Sequence, residues 1–340
     1  MAKVTIDGIT IDVPDGTTIL NAARMIGGEI VPPAMCYYSK LKTSGGYCRT
    51  CIVKVTKGSE KDPRPMPKPV ASCRTTVMDG MEVQNITSPD LLEARAGVVE
   101  FLLLNHPLDC PVCDQAGECH LQDLAYQNGK VETRFEFPRR EFERRDIGKN
   151  VQLHMNRCIL CYRCVKVADQ ITDGRVHGVM NRGEVAEIST YIDNVIENEM
   201  SGNVIDVCPV GALTDKTFRF KSRVWYTKPV DAHRDCPSCT GKVRLWYKGE
   251  EVLRVTARKD QYGEVEDWIC NTCRFDKKDT RDWVIDGPSK ISRESVISAN
   301  HYESLQALKK ATKEQLAMAL PHGEKVNAGE GALNPNNQKQ

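Results

Sequence analysis

The sequence of 340 residues has little of several features that mark common protein classes. Aromatic residues make up only 6%, so the apolar cores should be modest. Lys and Arg (47) balance Asp and Glu (46), which does not favour a general nucleic-acid or acidic-lipid binder. No run approaches the roughly 18 apolar residues of a membrane span, and the opening MAKVTIDGIT lacks a signal-peptide pattern. Without a Walker loop, a dinucleotide fingerprint or a Ser/His/Asp pattern, we expect no catalytic residue and neither an NADH nor a flavin site.

Cysteine, by contrast, is abundant, with fifteen residues. An odd number leaves one thiol unpaired in an all-disulfide scheme. A chain kept in a reducing compartment also does not normally hold so many disulfides. Metal ligation is therefore the leading account of the cysteines, which fall into four groups.

The first group combines a close trio with a distant fourth cysteine, in the pattern C-x11-C-x2-C-x21-C. Four thiolates, two for each iron, suit a [2Fe–2S] cluster, and Gly45-Gly46 lets the backbone pass close to inorganic sulfide. A predicted hairpin at 3–13, a helix capped by Thr17 or Thr18 and a strand at 51–56 follow the order of a β-grasp ferredoxin. The alternatives are a zinc site and buried cysteines without a metal. The predicted ligands are Cys36, Cys48, Cys51 and Cys73.

The second group follows a predicted helix at 90–105 and has the pattern H-x3-C-x2-C-x5-C. Four nitrogen and sulfur ligands so close together can wrap one metal centre, and by chemistry alone a zinc site fits equally well. His120 is a rival ligand, but it is adjacent to Cys119, and neighbours rarely ligate the same small site. An imidazole in place of a thiolate removes one negative charge, which should raise the potential of a cluster. The predicted ligands are His106, Cys110, Cys113 and Cys119.

The third group has the pattern C-x2-C-x2-C, followed by a remote Cys-Pro. Zinc rarely uses this spacing, which is typical of a [4Fe–4S] cluster. In two-cluster bacterial ferredoxins a further cysteine follows the third after three residues. That position is Ala168 here, so Cys208 must supply the fourth ligand after a 43-residue insertion. The predicted ligands are Cys158, Cys161, Cys164 and Cys208.

The fourth group consists of two C-x2-C knuckles about thirty residues apart, with a predicted hairpin at 242–256 between them. This is the arrangement of a zinc ribbon. The same four thiolates could hold a further [4Fe–4S] cluster, and a disulfide or empty thiols are the structural alternatives. Spacing slightly favours zinc. The predicted ligands are Cys236, Cys239, Cys270 and Cys273.

Together the four groups need sixteen ligands. The fifteen cysteines supply all but one of them, and His106 takes the last place. No cysteine is left over for a disulfide, a catalytic thiol or a redox sensor.

The first three groups, in this order, resemble the large iron–sulfur subunit of respiratory complex I, the 75 kDa-type subunit family of NADH-quinone oxidoreductase. The resemblance extends from Cys36 to Trp225 and depends on three long motifs, HPLDCPVCDQAGEC from His106, NRCILCYRC from Asn156 and VCPVGALTD from Val207. It implies a [2Fe–2S] cluster on the first group and [4Fe–4S] clusters on the second and third.

The resemblance also implies a function. The chain would be an electron-relay subunit in the peripheral arm of complex I, without the NADH or quinone site. Its partners would be the NADH/FMN-binding subunit and other iron–sulfur subunits, with no nucleic acid. It would lie on the cytoplasmic side of the inner (plasma) membrane, attached through the complex. The alternatives are a diaphorase-type subunit of an NAD-linked hydrogenase or formate dehydrogenase, and a non-redox protein stabilised by zinc.

The sequence departs from this family in two respects. The family often continues into a large molybdopterin-oxidoreductase-like domain, of which only the beginning is present, around 236–282. The family's extra cluster, where present, is held by C-x2-C-x3-C and a distant cysteine. The third position of that pattern is Val243 here, and Cys273 is an added thiol. Zinc therefore remains the slightly favoured metal at the fourth group.

The predicted fold class is α+β, and Trp225 and Tyr226 are expected in a core. An amphipathic helix is predicted at 302–320, before a tail expected to be disordered. The predicted domains are a [2Fe–2S] ferredoxin-type domain at 1–86, a helical [4Fe–4S] segment with one His and three Cys ligands at 87–129, a connector at 130–150, a [4Fe–4S] ferredoxin-like domain at 151–228, a β-rich four-Cys domain at 229–287 and a C-terminal extension at 288–340.

Overall fold

The computed structural model describes residues 1–130, 132–143, 145–172, 177–191 and 196–287. Helices and strands are mixed along this part of the chain, which agrees with the predicted α+β class. Met1–Asp286 forms one compact unit, and all four predicted metal sites lie within it. The predicted helix at 302–320 and the tail lie outside the described residues. Within the described ranges, no helix is both long and apolar enough to cross a membrane.

The first part of the chain forms a five-stranded sheet in the order β2-β1-β5-β3-β4. The predicted hairpin is confirmed, since β1 and β2 pair antiparallel around Asp7 and Gly8, which both have positive φ as a tight two-residue turn requires. Strand β1 pairs with β5 in parallel, and the other pairs are antiparallel. The strands are β1 (Ala2–Ile6), β2 (Ile9–Val13), β3 (Ile52–Lys57), β4 (Val70–Ala71) and β5 (Met81–Gln84).

Helix α1 (Ile19–Ile26) packs on this sheet. The Thr18 hydroxyl accepts a hydrogen bond from the backbone N–H of Asn21, so one of the two predicted capping residues begins the helix. The apolar face of α1 buries Ile19, Ala22 and Ala23 against the sheet. This small core supports the cysteine loop between α1 and β3.

Two helices flank the second cysteine group. Helix α2 (Pro89–Leu103) confirms the helix predicted at 90–105, and α3 (His120–Asn128) packs against it. The loop between the two helices carries the histidine and the three cysteines of the group.

The third cysteine group lies where distant chain segments meet. Strand β6 (Val151–Leu153) pairs with β9 (Leu213–Asp215), so the two ends of the long insertion come together. Because of this pairing, Cys208 can approach the close trio that it must complete. The other elements here are α4 (Arg163–Gln170), α5 (Asn203–Val207) and the antiparallel pair β7 (His177–Met180) and β8 (Glu187–Thr190).

The last described part forms a four-stranded antiparallel sheet in the order β12-β11-β10-β13. The predicted hairpin is confirmed, with Gly249 at positive φ in its turn. The expectation that Trp225 and Tyr226 belong to a core is wrong, because they are 55% and 65% exposed in a short turn before this sheet. The strands are β10 (Lys228–His233), β11 (Lys242–Lys248), β12 (Glu251–Ala257) and β13 (Val284–Ile285).

Candidate metal centres

The first site is the buried loop that holds Cys36, Cys48, Cys51 and Cys73. The Cys36 sulfur accepts hydrogen bonds from the backbone N–H groups of Tyr47 and Cys48, at 3.3 and 3.4 Å. Hydrogen bonds with the thiols of Cys48 and Cys73 lower the pKa of Cys36 to about 2. A hydrogen bond with Cys73 likewise lowers the pKa of Cys51 to about 7. The four thiols are therefore linked neighbours, two of them with strong thiolate character, which is the form that binds iron.

The glycine pair at this site has the predicted use. Gly45 and Gly46 have φ values of 96° and 90°, a backbone region that side chains rarely adopt. A Cβ atom on Gly45 would lie 3.1 Å from the Cys73 sulfur. The loop thus passes close to the ligand atoms, and this cradle and the four-thiol donor set fit a binuclear cluster.

The second site is a cavity of about 220 Å³ between α2 and α3. His106, Cys110, Cys113 and Cys119 all line this cavity. His120 does not; a Cβ atom on Gly263 would lie 2.8 Å from its Nε2 atom, so its ring lies beside that glycine. The structure therefore brings together the four residues predicted from the sequence and leaves the rival histidine outside.

Two arginines hold the loop of the second site in shape. Arg157 forms a salt bridge with Asp109 at 2.9 Å and lines the cavity. Arg223 donates to the carbonyl oxygens of Cys110 and Cys113 at 3.1 and 2.7 Å. Burial, with a contribution from Arg157, lowers the pKa of His106 to about 4. The imidazole is therefore neutral at pH 7, as a metal ligand must be.

Burial differs among the ligands of the second site, because Cys113 and Cys119 are buried whereas Cys110 is exposed. A Cβ atom on Gly211 would lie only 2.1 Å from the Cys113 sulfur, so only glycine fits this approach. Around the exposed side lie large apolar side chains that carry no motif in the sequence. They are Leu108 (80% exposed), Val112 (57%) and Tyr126 (96%), with Trp225 beside Gly117.

The third site is a narrower cavity of about 20 Å³, lined by Cys158, Cys161, Cys164 and Cys208. Leu160 and Tyr162 have positive φ values of 51° and 63°, and these turns direct the alternate cysteines inward. Burial raises the pKa of all four thiols, and that of Cys161 rises to about 12. Metal binding must therefore release protons here. The apolar wall, which includes Leu153, Ile188 and Leu213, fits a buried cluster.

The fourth site brings the two predicted knuckles together. The ligand atoms of Cys236, Cys239, Cys270 and Cys273 all lie within 4.8 Å of one another. The Cys236–Cys270 and Cys239–Cys273 sulfur pairs are 3.7 and 3.8 Å apart. In the described ranges, no other group of three or more His, Cys, Asp or Glu residues is this compact.

These distances bear on the metal that the fourth site fits. A tetrahedral zinc ion with zinc–sulfur bonds of about 2.3 Å places neighbouring sulfurs about 3.8 Å apart. A cubane cluster attaches each thiolate to a different iron ion, which holds the sulfurs further apart. The donor set of the fourth site therefore fits one metal ion, and the wider spacing at the other sites leaves room for clusters.

The sites meet in an order that differs from their order in the chain. Arg163, next to Cys164, bonds to the loop of the first site, and the rings of Tyr47 and Tyr162 lie 4.5 Å apart. The third and second sites share the loop after Cys208, whose Gly211 lies against Cys113. The third site is therefore central, with the first site on one side and the second on the other.

The fourth site also joins the third. Arg274 follows Cys273 and forms a salt bridge with Asp206, two residues before Cys208. Both side chains are buried, at 1% and 2% exposure. Asn203 on α5 bonds to the backbone N–H and carbonyl of Ile269, just before Cys270. The knuckles are thus fixed to the helix that presents Cys208.

Three regions of the chain match known iron–sulfur families. Residues 1–88 match a 2Fe-2S iron-sulfur cluster binding domain. Residues 95–134 match the NADH-ubiquinone oxidoreductase-G iron-sulfur binding region. Residues 148–214 match the ferredoxin-like domain of NADH-quinone oxidoreductase subunit 3. Each match contains one of the first three sites.

Among solved structures, the chain is similar to a chain of the NAD+-reducing [NiFe]-hydrogenase in its H2-reduced state. The TM-score is 0.56 and the sequence identity 25%, over 66% of this chain and 91% of that one. The fold is thus shared with a chain of an NAD-linked enzyme.

Similarity in sequence is stronger. The corresponding NADH-quinone oxidoreductase subunit of Rickettsia bellii is 39% identical over 91% of this chain and 43% of its own length. The NADH-ubiquinone oxidoreductase 75 kDa subunit of Reclinomonas americana is 42% identical over 81% of this chain and 38% of its own length. The chain spans about two fifths of the length of these relatives. It is a homologue, over that span, of the 75 kDa-type iron–sulfur subunits of NADH-quinone oxidoreductase.

Proposed function

We propose that this chain is an electron-relay subunit in the peripheral arm of an NADH-quinone oxidoreductase. The observation that carries the proposal is the convergence of three ligand quartets, each inside a region that matches an iron–sulfur family. Iron–sulfur clusters at these sites would each carry one electron at a time without bond-making by the protein. The chain's own residues space the sites, exclude water and set the charge around each one.

The proposed cofactors follow from the donor sets. The first site, in a β-grasp ferredoxin domain, holds a [2Fe–2S] cluster on Cys36, Cys48, Cys51 and Cys73. The second holds a [4Fe–4S] cluster on His106, Cys110, Cys113 and Cys119, and the third another on Cys158, Cys161, Cys164 and Cys208. The fourth site holds zinc on Cys236, Cys239, Cys270 and Cys273. The 3.7 and 3.8 Å sulfur distances support zinc there.

The proposed route of the electron is from the first site through the third to the second. Direct contacts join the first site to the third and the third to the second. The zinc site lies beside this route and stabilises α5 through the Arg274–Asp206 pair. Its role is structural, because zinc has no redox chemistry in proteins.

The exposed apolar rim of the second site is the proposed docking surface for the next iron–sulfur subunit. Leu108, Val112, Tyr126 and Trp225 surround the exposed Cys110. Aromatic side chains are enriched at protein interfaces, and a large exposed apolar patch marks such a surface. The NADH/FMN-binding subunit would deliver electrons at the first site, and the complex would lie on the cytoplasmic side of the membrane.

A test of this proposal uses the intact chain purified with the proteins that accompany it in the cell. Dithionite reduction should give EPR signals of one [2Fe–2S] and two [4Fe–4S] clusters. NADH should reduce the same clusters only when a flavin-bearing partner is present. A chain without these signals, or one that NADH reduces alone, would contradict the proposal.

A second candidate is the equivalent subunit of an NAD-linked hydrogenase, which the structural similarity to the NAD+-reducing [NiFe]-hydrogenase favours. The same purification separates the two candidates. Copurification with quinone-dependent activity supports the NADH-quinone oxidoreductase, whereas copurification with hydrogenase activity supports the alternative.

A further inference from the structure

Arg163 lies between the first and third sites and is almost fully buried, at 4% exposure. It is the first residue of α4 and directly precedes Cys164. Its guanidinium forms hydrogen bonds with three backbone carbonyls and lies 5.0 Å from the ring centre of Tyr38. Such a position is unusual for a long charged side chain, which is almost never fully buried unless it is paired.

The three carbonyls belong to the ligand loops of both sites. The Nη2 atom donates to Ala34 at 3.0 Å and to Tyr37 at 2.7 Å, on either side of Cys36. The Nη1 atom donates to Val207 at 3.3 Å, the residue before Cys208. One planar group therefore fixes the distance between a ligand of the first site and two ligands of the third. Lysine could not reproduce this, because its ammonium is a point charge without the planar fork.

The charge of Arg163 also requires an explanation. Among the described residues, no carboxylate forms a salt bridge with it. A buried cation costs several kcal/mol unless an opposite charge compensates it. The thiolates of the first and third sites are neighbouring groups that would supply negative charge when metal is bound.

We propose that Arg163 is the positioning residue for electron transfer between the first and third sites. Its fork fixes the spacing of the two sites, and its charge favours the reduced state of both. In the step, one electron leaves the reduced cluster at the first site and enters the oxidised cluster at the third, with no change in bonds or protons. This inference rests on the proposed function, since it needs a cluster at each site.

The test compares Arg163→Gln and Arg163→Lys in the intact complex, with Lys166→Gln as the control. Lys166 lies on the same helix, so its replacement removes a positive charge from α4 without touching these carbonyls. Iron and sulfide content is measured first. EPR redox titration then gives the midpoint potential of each cluster, and low-temperature EPR gives the magnetic interaction between the two reduced clusters.

We expect Arg163→Gln to lower both midpoint potentials by about 59 mV, a tenfold shift in each reduction equilibrium. Arg163→Lys should keep the potentials but weaken the magnetic interaction, because the charge remains and the fork is lost. Lys166→Gln should change neither property. Potentials in the Gln variant that match the control, or an undiminished interaction in the Lys variant, would overturn the proposal.

Two further outcomes are also decisive. If the Gln variant does not assemble its clusters, the Lys variant alone decides by its magnetic interaction. If the unaltered complex contains no iron at these sites, the proposed function fails, and the inference about Arg163 fails with it. Failure of this inference alone leaves the unaltered clusters and their EPR signals intact.

Discussion

The fourth metal site differs from the other three in how closely its ligand atoms approach one another. Its thiols lie within 4.8 Å of one another, whereas the second and third quartets line cavities and the first surrounds a glycine cradle. All four quartets are tetradentate and rich in thiols, so ligand type does not separate them. Sulfur spacing does, because one metal ion draws four ligands to a single point and a cluster spreads them over several iron ions.

Replacing Cys161 with serine should have the largest effect. The third site is central, so loss of its cluster should remove about four iron ions and interrupt transfer between the first and second sites. Iron analysis and EPR measure the first effect, and NADH-to-quinone activity of the complex measures the second. Val165→Ala on the same helix is the control, with full iron content expected. Full activity without the third cluster would show that the site is not on the route.

Replacing Cys270 with alanine tests the compact site. The expected result is loss of the zinc ion with the iron content unchanged, because this site is separate from the three clusters. Structural zinc contributes to folding directly, so the melting temperature should also fall. Metal analysis and thermal unfolding monitor the two effects. Loss of about four iron ions instead would assign a cubane cluster to the fourth site.

Replacing Arg274 with methionine tests the connection between the compact site and the third. Asp206 would be left as a buried, unpaired charge, which typically costs about 3–5 kcal/mol of the free energy of unfolding. Denaturant unfolding of the metal-loaded chain measures this loss. Arg281→Met is the matched control, since Arg281 pairs with Asp279 while 88% exposed, and exposed pairs contribute little. Equal losses in the two variants would contradict a structural role for the buried pair.

Replacing His106 with cysteine should have the smallest effect, because the second site keeps four ligands. A thiolate in place of imidazole adds one negative charge, so the midpoint potential should fall, by about 59 mV for a tenfold shift in equilibrium. EPR redox titration measures the change. His120→Asn should leave the potential unaltered, since His120 does not line the cavity. An unchanged potential in the His106 variant would reject that residue as a ligand.

Much of the organisation could be predicted from the sequence because local patterns determine it. The turn at Asp7-Gly8, the Thr18 cap, α2 and the β11–β12 hairpin each depend on residues close together in the chain. The ligand sets could also be predicted, since C-x2-C spacing places two thiols on one turn. Spacing alone favours His106 over His120, and the cavity contains His106.

Other features depend on contacts between distant residues and have no local signal. The central position of the third site follows from the β6–β9 pairing and from the hydrogen bonds of Arg163. The size of Trp225 and Tyr226 favours a core position, yet both are exposed beside the second site. A nearby motif of partner-facing residues would have been needed to predict that surface.

The central claim is that three spread quartets hold clusters while one compact quartet holds a single metal ion. Counting iron, zinc and acid-labile sulfide in the intact, anaerobically purified chain tests this claim most directly. The account predicts about ten iron ions, about ten sulfides and about one zinc ion per chain. About fourteen iron ions and fourteen sulfides without zinc would contradict it, because the compact site would then hold a cluster.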